Sequence, residues 1–220
     1  MAIITVGALW ESSDQSAWDR ALARYWCFVK PGNVALEVRL GALQRCDLWS
    51  LDGYGWYEFL RDGYFRWKYT APNRYASTSA QLRRHCSKDG LAELETTCRK
   101  LLRVSPDDIS GALQIALQIH GLGTAGASGL LALMYPTHFA TVDQFVVKAL
   151  RDVDNLPEAV DLNRMKETGL SITDGVMLIE IMRRKAAENS LKFRPTQWTP
   201  RMIDMVLWTY GRSNASCDAP

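Results

Sequence analysis

The residues with the most chemical potential lie in one stretch, ALQIALQIHGLGTAGASGLLALMYPTHFATVDQFVVKALRDV, residues 112–153. Gly121-Leu122-Gly123 interrupts a helical pattern and makes a tight turn. Both glycines are free to take positive φ and to let another backbone approach closely. A small-residue helix follows, and the N–H groups of Gly123, Thr124 and Ala125 at its start have no partner within the helix. Such a terminus is a ready site for a phosphate or another anion. The same turn also reads as an ordinary helix–helix connection. His120 stands in it, either as a phosphate contact or as a half-exposed turn residue. Downstream, Asp143 sits where a helix N-cap belongs. A capping carboxylate is also a rigidly held negative charge, so capping and chemistry are compatible. His138 is a candidate acid–base group or a plain loop histidine. Glu180, in the apolar run VMLIEIM, is a second buried carboxylate or a surface glutamate.

A second concentration lies upstream. Ten of the 22 aromatic residues fall between Trp49 and Tyr75. Seven basic residues against one acid, Asp62, lie between Arg61 and Lys88, whereas ten of each occur from Arg151 onwards. Rings interleaved with guanidinium groups, as in YFRWKYTAPNRY, suit a nucleic acid with an exposed base. Trp49, Tyr54, Trp56, Tyr57, Trp67 and Tyr69 are the candidate pocket rings. Arg66, Lys68, Arg74, Arg83 and Arg84 are the candidate phosphate contacts. An aromatic core beneath a solvated basic face fits the same pattern.

The elements that must position these groups are helical. Trp18, Leu22, Tyr25 and Trp26 follow the spacing of an amphipathic helix over 14–28, closed by Pro31-Gly32-Asn33. Further helices are predicted over 34–47, 56–61, 78–86, 89–102, from Ser105-Pro106 to His120, and over 124–134, 143–152, 173–189 and 199–210. Trp198 and Trp208 are expected to pack. Only Ile3 to Val6 reads as a strand, and one strand makes no sheet. The expected class is all-α, two-lobed, with an aromatic and basic lobe over 1–104 and the turn-bearing lobe over 105–220, packed as one unit.

With these elements around it, the 112–153 stretch resembles the helix-hairpin-helix DNA glycosylase superfamily. That family has a hairpin of the form apolar-x-Gly-apolar-Gly, a helix, a proline-containing loop, and a Val-Asp pair opening the next helix. Here these are Ile119-His120-Gly121-Leu122-Gly123, Pro136 and Val142-Asp143, with 20 positions from Gly123 to Asp143. The resemblance implies that residues 120–125 clamp the backbone of double-stranded DNA and that Asp143 stabilises the cation formed as an N-glycosidic bond breaks. Members that also cut the strand carry a lysine two residues after the second hairpin glycine. Here that position is Ala125, and Lys148 nearby reads as a solvated side chain. The resemblance therefore implies a monofunctional enzyme that uses water and leaves an abasic site. The four-cysteine cluster of some members is absent. The departures at Ala125 and over residues 1–100 imply a divergent member acting on a modified or damaged base: the family's usual substrates are oxidised or alkylated purines, and some divergent bacterial members remove modified bases such as glucosylated hydroxymethylcytosine from phage DNA. The competing reading is a non-catalytic helix-hairpin-helix DNA-binding module.

Composition excludes other classes. With 220 residues, 47% apolar and 23% charged, the chain has a substantial core to bury, so disorder and fibre are excluded. No run reaches the roughly 18 apolar residues of a membrane span. The opening MAIITVGALWESSD lacks the basic start of a secretory signal. Five scattered cysteines without a CxxC pair argue for a reducing, cytoplasmic setting. With only three histidines, no metal is expected. No cofactor is expected either, beyond a structural monovalent cation at the hairpin, and the chain is expected to be a monomer.

Overall fold

The computed structural model describes residues 4–212. They form fifteen α-helices and, among the described residues, no strand. In chain order these are α1 (Val6–Glu11), α2 (Gln15–Ala23), α3 (Tyr25–Phe28), α4 (Val34–Gly41), α5 (Arg45–Trp49), α6 (Gly53–Glu58), α7 (Phe65–Lys68) and α8 (Pro72–His85). There follow α9 (Leu91–Leu101), α10 (Ile109–Ala116), α11 (Thr124–Met134), α12 (Gln144–Arg151), α13 (Ala159–Arg164), α14 (Ile172–Lys192) and α15 (Pro200–Arg212). The all-α expectation holds. The described part of the strand expected over Ile3 to Val6, residues 4–6, is not a strand: Thr5 caps α1 by accepting from the Ala8 N–H, so Val6 is already helical. Ile3 itself lies outside the described residues.

Local chemistry explains most boundaries. The helix expected over 14–28 breaks at Arg24 into α2 and α3. That expected over 34–47 stops at Gly41, and a reciprocal cap between Gln44 and Asp47 starts α5. Pro72 in the first turn brings the start of α8 forward to 72. Asp108, not Ser105, caps α10, and that helix ends at Ala116 instead of reaching His120. Between α6 and α7 the backbone passes through a π-helical turn, Phe59–Tyr64. Residues 53–68 are therefore one continuous helical run whose faces do not follow a 3.6-residue period.

One buried cluster runs from Val6 to Leu207. The first thirty residues share it with the last helix: α2 and α3 pack on α15, Trp18 meets Trp198 edge-on at 5.4 Å, and Tyr25 meets Trp208 at 5.4 Å. Two close approaches fix the middle of the molecule. Glycines on α11 admit the α7 region, since a Cβ on Gly126 would lie 2.3 Å from the Tyr69 hydroxyl and one on Gly129 would lie 2.7 Å from the Tyr64 hydroxyl. Tyr64 donates its hydroxyl proton to the Gly126 carbonyl. On the other side, α12 and α15 touch at Gly211, where a Cβ would lie 2.0 Å from the Phe145 carbonyl oxygen.

Gly211→Ala should lower the unfolding free energy. Overpacking costs about 1–3 kcal/mol, more than the gain of under about 1 kcal/mol from removing a helical glycine. Gly41, where an added methyl would meet nothing within 4 Å, is the control: Gly41→Ala should be neutral or stabilising by about 0.5 kcal/mol. Urea denaturation of both variants checks this, and a Gly211→Ala protein as stable as wild type would contradict the packing described.

Candidate active site

The segment before α12 is held residue by residue. The Thr141 N–H donates to Asp204 Oδ2 on α15 at 2.6 Å. The Val142 N–H donates to Ser128 Oγ on α11 at 2.9 Å, and that hydroxyl donates on to the Ala125 carbonyl at 3.1 Å. Asp143 caps α12 with one oxygen only: Oδ1 accepts from the Phe145 N–H at 2.9 Å and the Val146 N–H at 3.2 Å. The other oxygen, Oδ2, faces Lys68 Nζ at 3.8 Å. The cap holds the carboxylate still and leaves half of it available.

Lys68 is the last residue of α7, and its side chain is 9% exposed. Its stem lies along Gly129, where a Cβ would come within 3.3 Å of Cδ. Burial holds its ammonium below the usual lysine range, although the charge of Asp143 opposes this. Lys68 is therefore not the surface phosphate contact expected from its sequence neighbourhood. It is a buried amine beside a fixed carboxylate.

Below this pair lies a network that joins the two ends of the chain. Arg201 pairs with Asp204, with Glu37 at 3.2 Å, and with the Tyr25 hydroxyl at 3.3 Å. Trp67 Nε1 donates to the other Glu37 oxygen, and the Arg201 guanidinium lies 5.2 Å from the Trp67 ring centre. Burial pushes the Asp204 carboxyl up to about 6 against the pull of Arg201. Burial works against the charge on Arg201 too, but Asp204, Tyr25 and Glu37 outweigh it and raise its pKa. The Tyr25 hydroxyl is raised by burial.

These groups line a single open cleft of about 1020 Å³. Its walls include Trp67, Lys68, Tyr69 and Arg74 from the middle of the chain, and Gly121, Gly123, Thr124 and Ala125 from the turn. Asp143 lies on it with Tyr25, Glu37, Trp208 and Arg212. The Thr141 hydroxyl, also on the wall, is buried without a hydrogen-bond partner. The cleft thus places hydrogen-bond donors, a fixed carboxylate, an amine and aromatic faces around one space.

The turn behaves partly as its sequence implies. Gly121 has φ +97°, and a Cβ there would lie 2.8 Å from the Thr78 carbonyl oxygen, so both conformation and space require glycine. Gly123 is extended, with φ −102°, so its expected positive φ is not used. No side chain caps α11 at Gly123. His120 is exposed and stacks on His85 at 4.0 Å, outside the cleft. Leu122 is half-buried beside it. The turn carries no acidic side chain, so a monovalent cation there would rest on backbone carbonyls alone.

Of the six candidate rings, only Trp67 and Tyr69 line the cleft. Trp56 and Tyr57 are core residues, fully and almost fully buried. Trp49 and Tyr54 are exposed away from it, Trp49 lying under the Arg103 guanidinium at 5.3 Å. Of the candidate cations, Arg74 is exposed at the cleft. Arg66, Arg83 and Arg84 are exposed beyond it, and Arg66 pairs weakly with Asp62 at 3.9 Å. His138 and Glu180 are surface residues, and Lys148 pairs with Glu167 at 3.4 Å. Trp198 is core. Trp208 packs on Phe145, as expected, but also lines the cleft. Sequence reasoning missed Tyr25, Glu37, Arg201 and Asp204. The one available signal was the opposite charges of Arg201 and Asp204, one turn apart on an otherwise amphipathic helix.

Among the described residues no cluster of His, Cys, Asp or Glu is arranged to hold a metal ion. None of their helices is long and apolar enough to cross a membrane. The chain matches no protein family, no curated protein and no solved structure.

Asp204 keeps its proton to about pH 6 when folded, against 3.8 for an unperturbed aspartate. Between those values the folded chain binds more protons than the unfolded one, so stability falls as pH rises through the window. Relative to Asp204→Asn, the wild type should lose on the order of 2 kcal/mol between pH 4 and pH 7. Urea unfolding across that range checks it, and parallel pH profiles for the two proteins would contradict it.

Proposed function

We propose that the chain is a DNA N-glycosylase that releases a modified base flipped out of double-stranded DNA. The observation that carries this reading is the convergence on one cleft of the Gly121-Leu122-Gly123 turn, the Asp143 oxygen that lies outside the α12 cap and faces Lys68, and the Trp67 and Tyr69 rings. Each supplies a different requirement. The uncapped start of α11 and exposed Arg74 offer donors and charge to a DNA phosphate. The rings offer stacking that offsets the few kcal/mol lost when a base leaves the duplex.

As the glycosidic bond breaks, positive charge builds on the sugar. Asp143 Oδ2 is fixed to stabilise that charge and to orient an attacking water, and Oδ1 is kept from moving by its two backbone donors. The product is a free base and an abasic sugar. A cleft of about 1020 Å³ has room for a flipped base and the sugar and phosphate beside it. The reading extends to a base carrying a bulky polar group, such as glucosylated hydroxymethylcytosine in phage DNA, and with it a role in defence.

The test is base release from duplexes carrying oxidised, alkylated or deaminated bases and from phage DNA with modified cytosines, with abasic sites read as breaks after alkali. Asp143→Asn preserves the helix cap and removes the charge. It should lower the release rate by about 100-fold or more while leaving DNA affinity intact. Tight, salt-sensitive binding of every DNA without release from any would instead identify a non-catalytic clamp.

A further inference from the structure

Resting on the reading of the cleft as a site of base release, we propose that the Thr141 hydroxyl binds the attacking water and, with Asp143, aims it at C1′ of the flipped sugar. The segment before α12 alternates its faces. Thr141 and Asp143 line the cleft. Val142, between them, turns away to α14, where a Cβ on Gly175 would lie 4.0 Å from its Cγ2. Side chains two apart on an extended segment share a face, with their Cα atoms about 6.5 Å apart. One water spans such a separation with two hydrogen bonds of about 2.8 Å.

Both side chains have hydrogen-bonding capacity to spare. Thr141 is 5% exposed, and its Oγ1 has no hydrogen-bond partner among the described residues. Its backbone N–H is fixed on Asp204 at 2.6 Å, so the hydroxyl is held in place. A buried hydroxyl without a partner lowers stability, and valine has the same shape without that cost. Asp143 uses Oδ1 for the helix cap and keeps Oδ2 on the cleft. Lys68 Nζ faces Oδ2 at 3.8 Å, too long for a direct hydrogen bond and a gap that a shared water closes. Burial holds the Lys68 ammonium below its usual range, which limits the opposing charge beside a sugar that turns positive.

The water donates one hydrogen bond to Asp143 Oδ2 and one to Thr141 Oγ1, which leaves a lone pair facing C1′. Its oxygen bonds to C1′ as the C1′–N bond breaks, and that bond's electron pair leaves with the base. Asp143 Oδ2 takes one water proton and passes it to solvent, and the departing base gains one from solvent. One water is consumed, and one free base and one sugar hydroxyl are formed.

The experiment compares the full-length wild type, Thr141→Val and Thr141→Ser for base release, DNA affinity and urea denaturation. Release is measured on whichever DNA of the base panel the wild type acts on. Thr141→Val should slow release by about 10-fold or more at saturating enzyme, with DNA affinity unchanged. Its urea midpoint should equal or exceed that of the wild type, since an unpaired buried hydroxyl is gone. Thr141→Ser, which restores the hydroxyl, should recover most of the rate. A hydroxyl that serves only the fold gives the reverse pattern, a lower midpoint with an unchanged rate. Wild-type release by Thr141→Val, a lower midpoint in that variant, or equal losses of rate in both variants would each overturn the proposal and leave the glycosylase reading standing. No release by the wild type from any DNA would instead remove the reading, and the proposal with it.

Discussion

Three adjacent residues, each tied to a different helix, set the geometry on which the rest depends. Thr141 is tied to α15, Val142 to α11, and Asp143 to the start of its own helix α12. An extended segment has no internal hydrogen bonds, so its position is only as well defined as its partners. Here the partners come from the small-residue helix after the turn and from the last helix of the chain. The small-residue helix after the turn, the carboxylate and the C-terminal helix are therefore tied together. Ser128 is central to this, because one hydroxyl satisfies both the Val142 N–H and the Ala125 carbonyl.

The charges around that segment are expensive. Arg201, Asp204 and Glu37 are largely removed from water, and so is Lys68. Apolar residues of similar volume would often serve stability as well or better. Buried ionisable groups with displaced pKa values, gathered on a cleft, are a mark of functional sites. The network also gives the N-terminal residues a purpose that their sequence does not announce. Tyr25 and Glu37 hold Arg201, Arg201 holds Asp204, and Asp204 holds Thr141, two residues from the carboxylate at the centre of the proposed chemistry.

Features governed by neighbouring residues were legible in the sequence. Asp143 as a cap, Pro200 at a helix start, and glycine at 121 all follow from local backbone rules. The all-helical class followed from periodicity. The pocket rings did not, because the π-helical turn at 59–64 shifts the register between α6 and α7. Trp56 therefore turns into the core, whereas Trp67 reaches the cleft. The Arg201–Glu37 pair spans 164 positions, and no spacing rule reaches that far. Lys68 read as one more cation in a basic stretch, since only the packing of α7 against α11 buries it.

In the proposed chemistry Asp143 meets positive charge on a sugar held in the cleft. The most direct measurement compares the affinity of the chain for two duplexes that differ at one sugar, a cationic pyrrolidine analogue in one and a neutral tetrahydrofuran in the other. Sites that stabilise a developing charge bind its mimic more tightly, here by an expected factor of about 100 or more, with the preference lost in Asp143→Asn. Equal affinity for the two duplexes, or a preference that survives Asp143→Asn, would contradict the account.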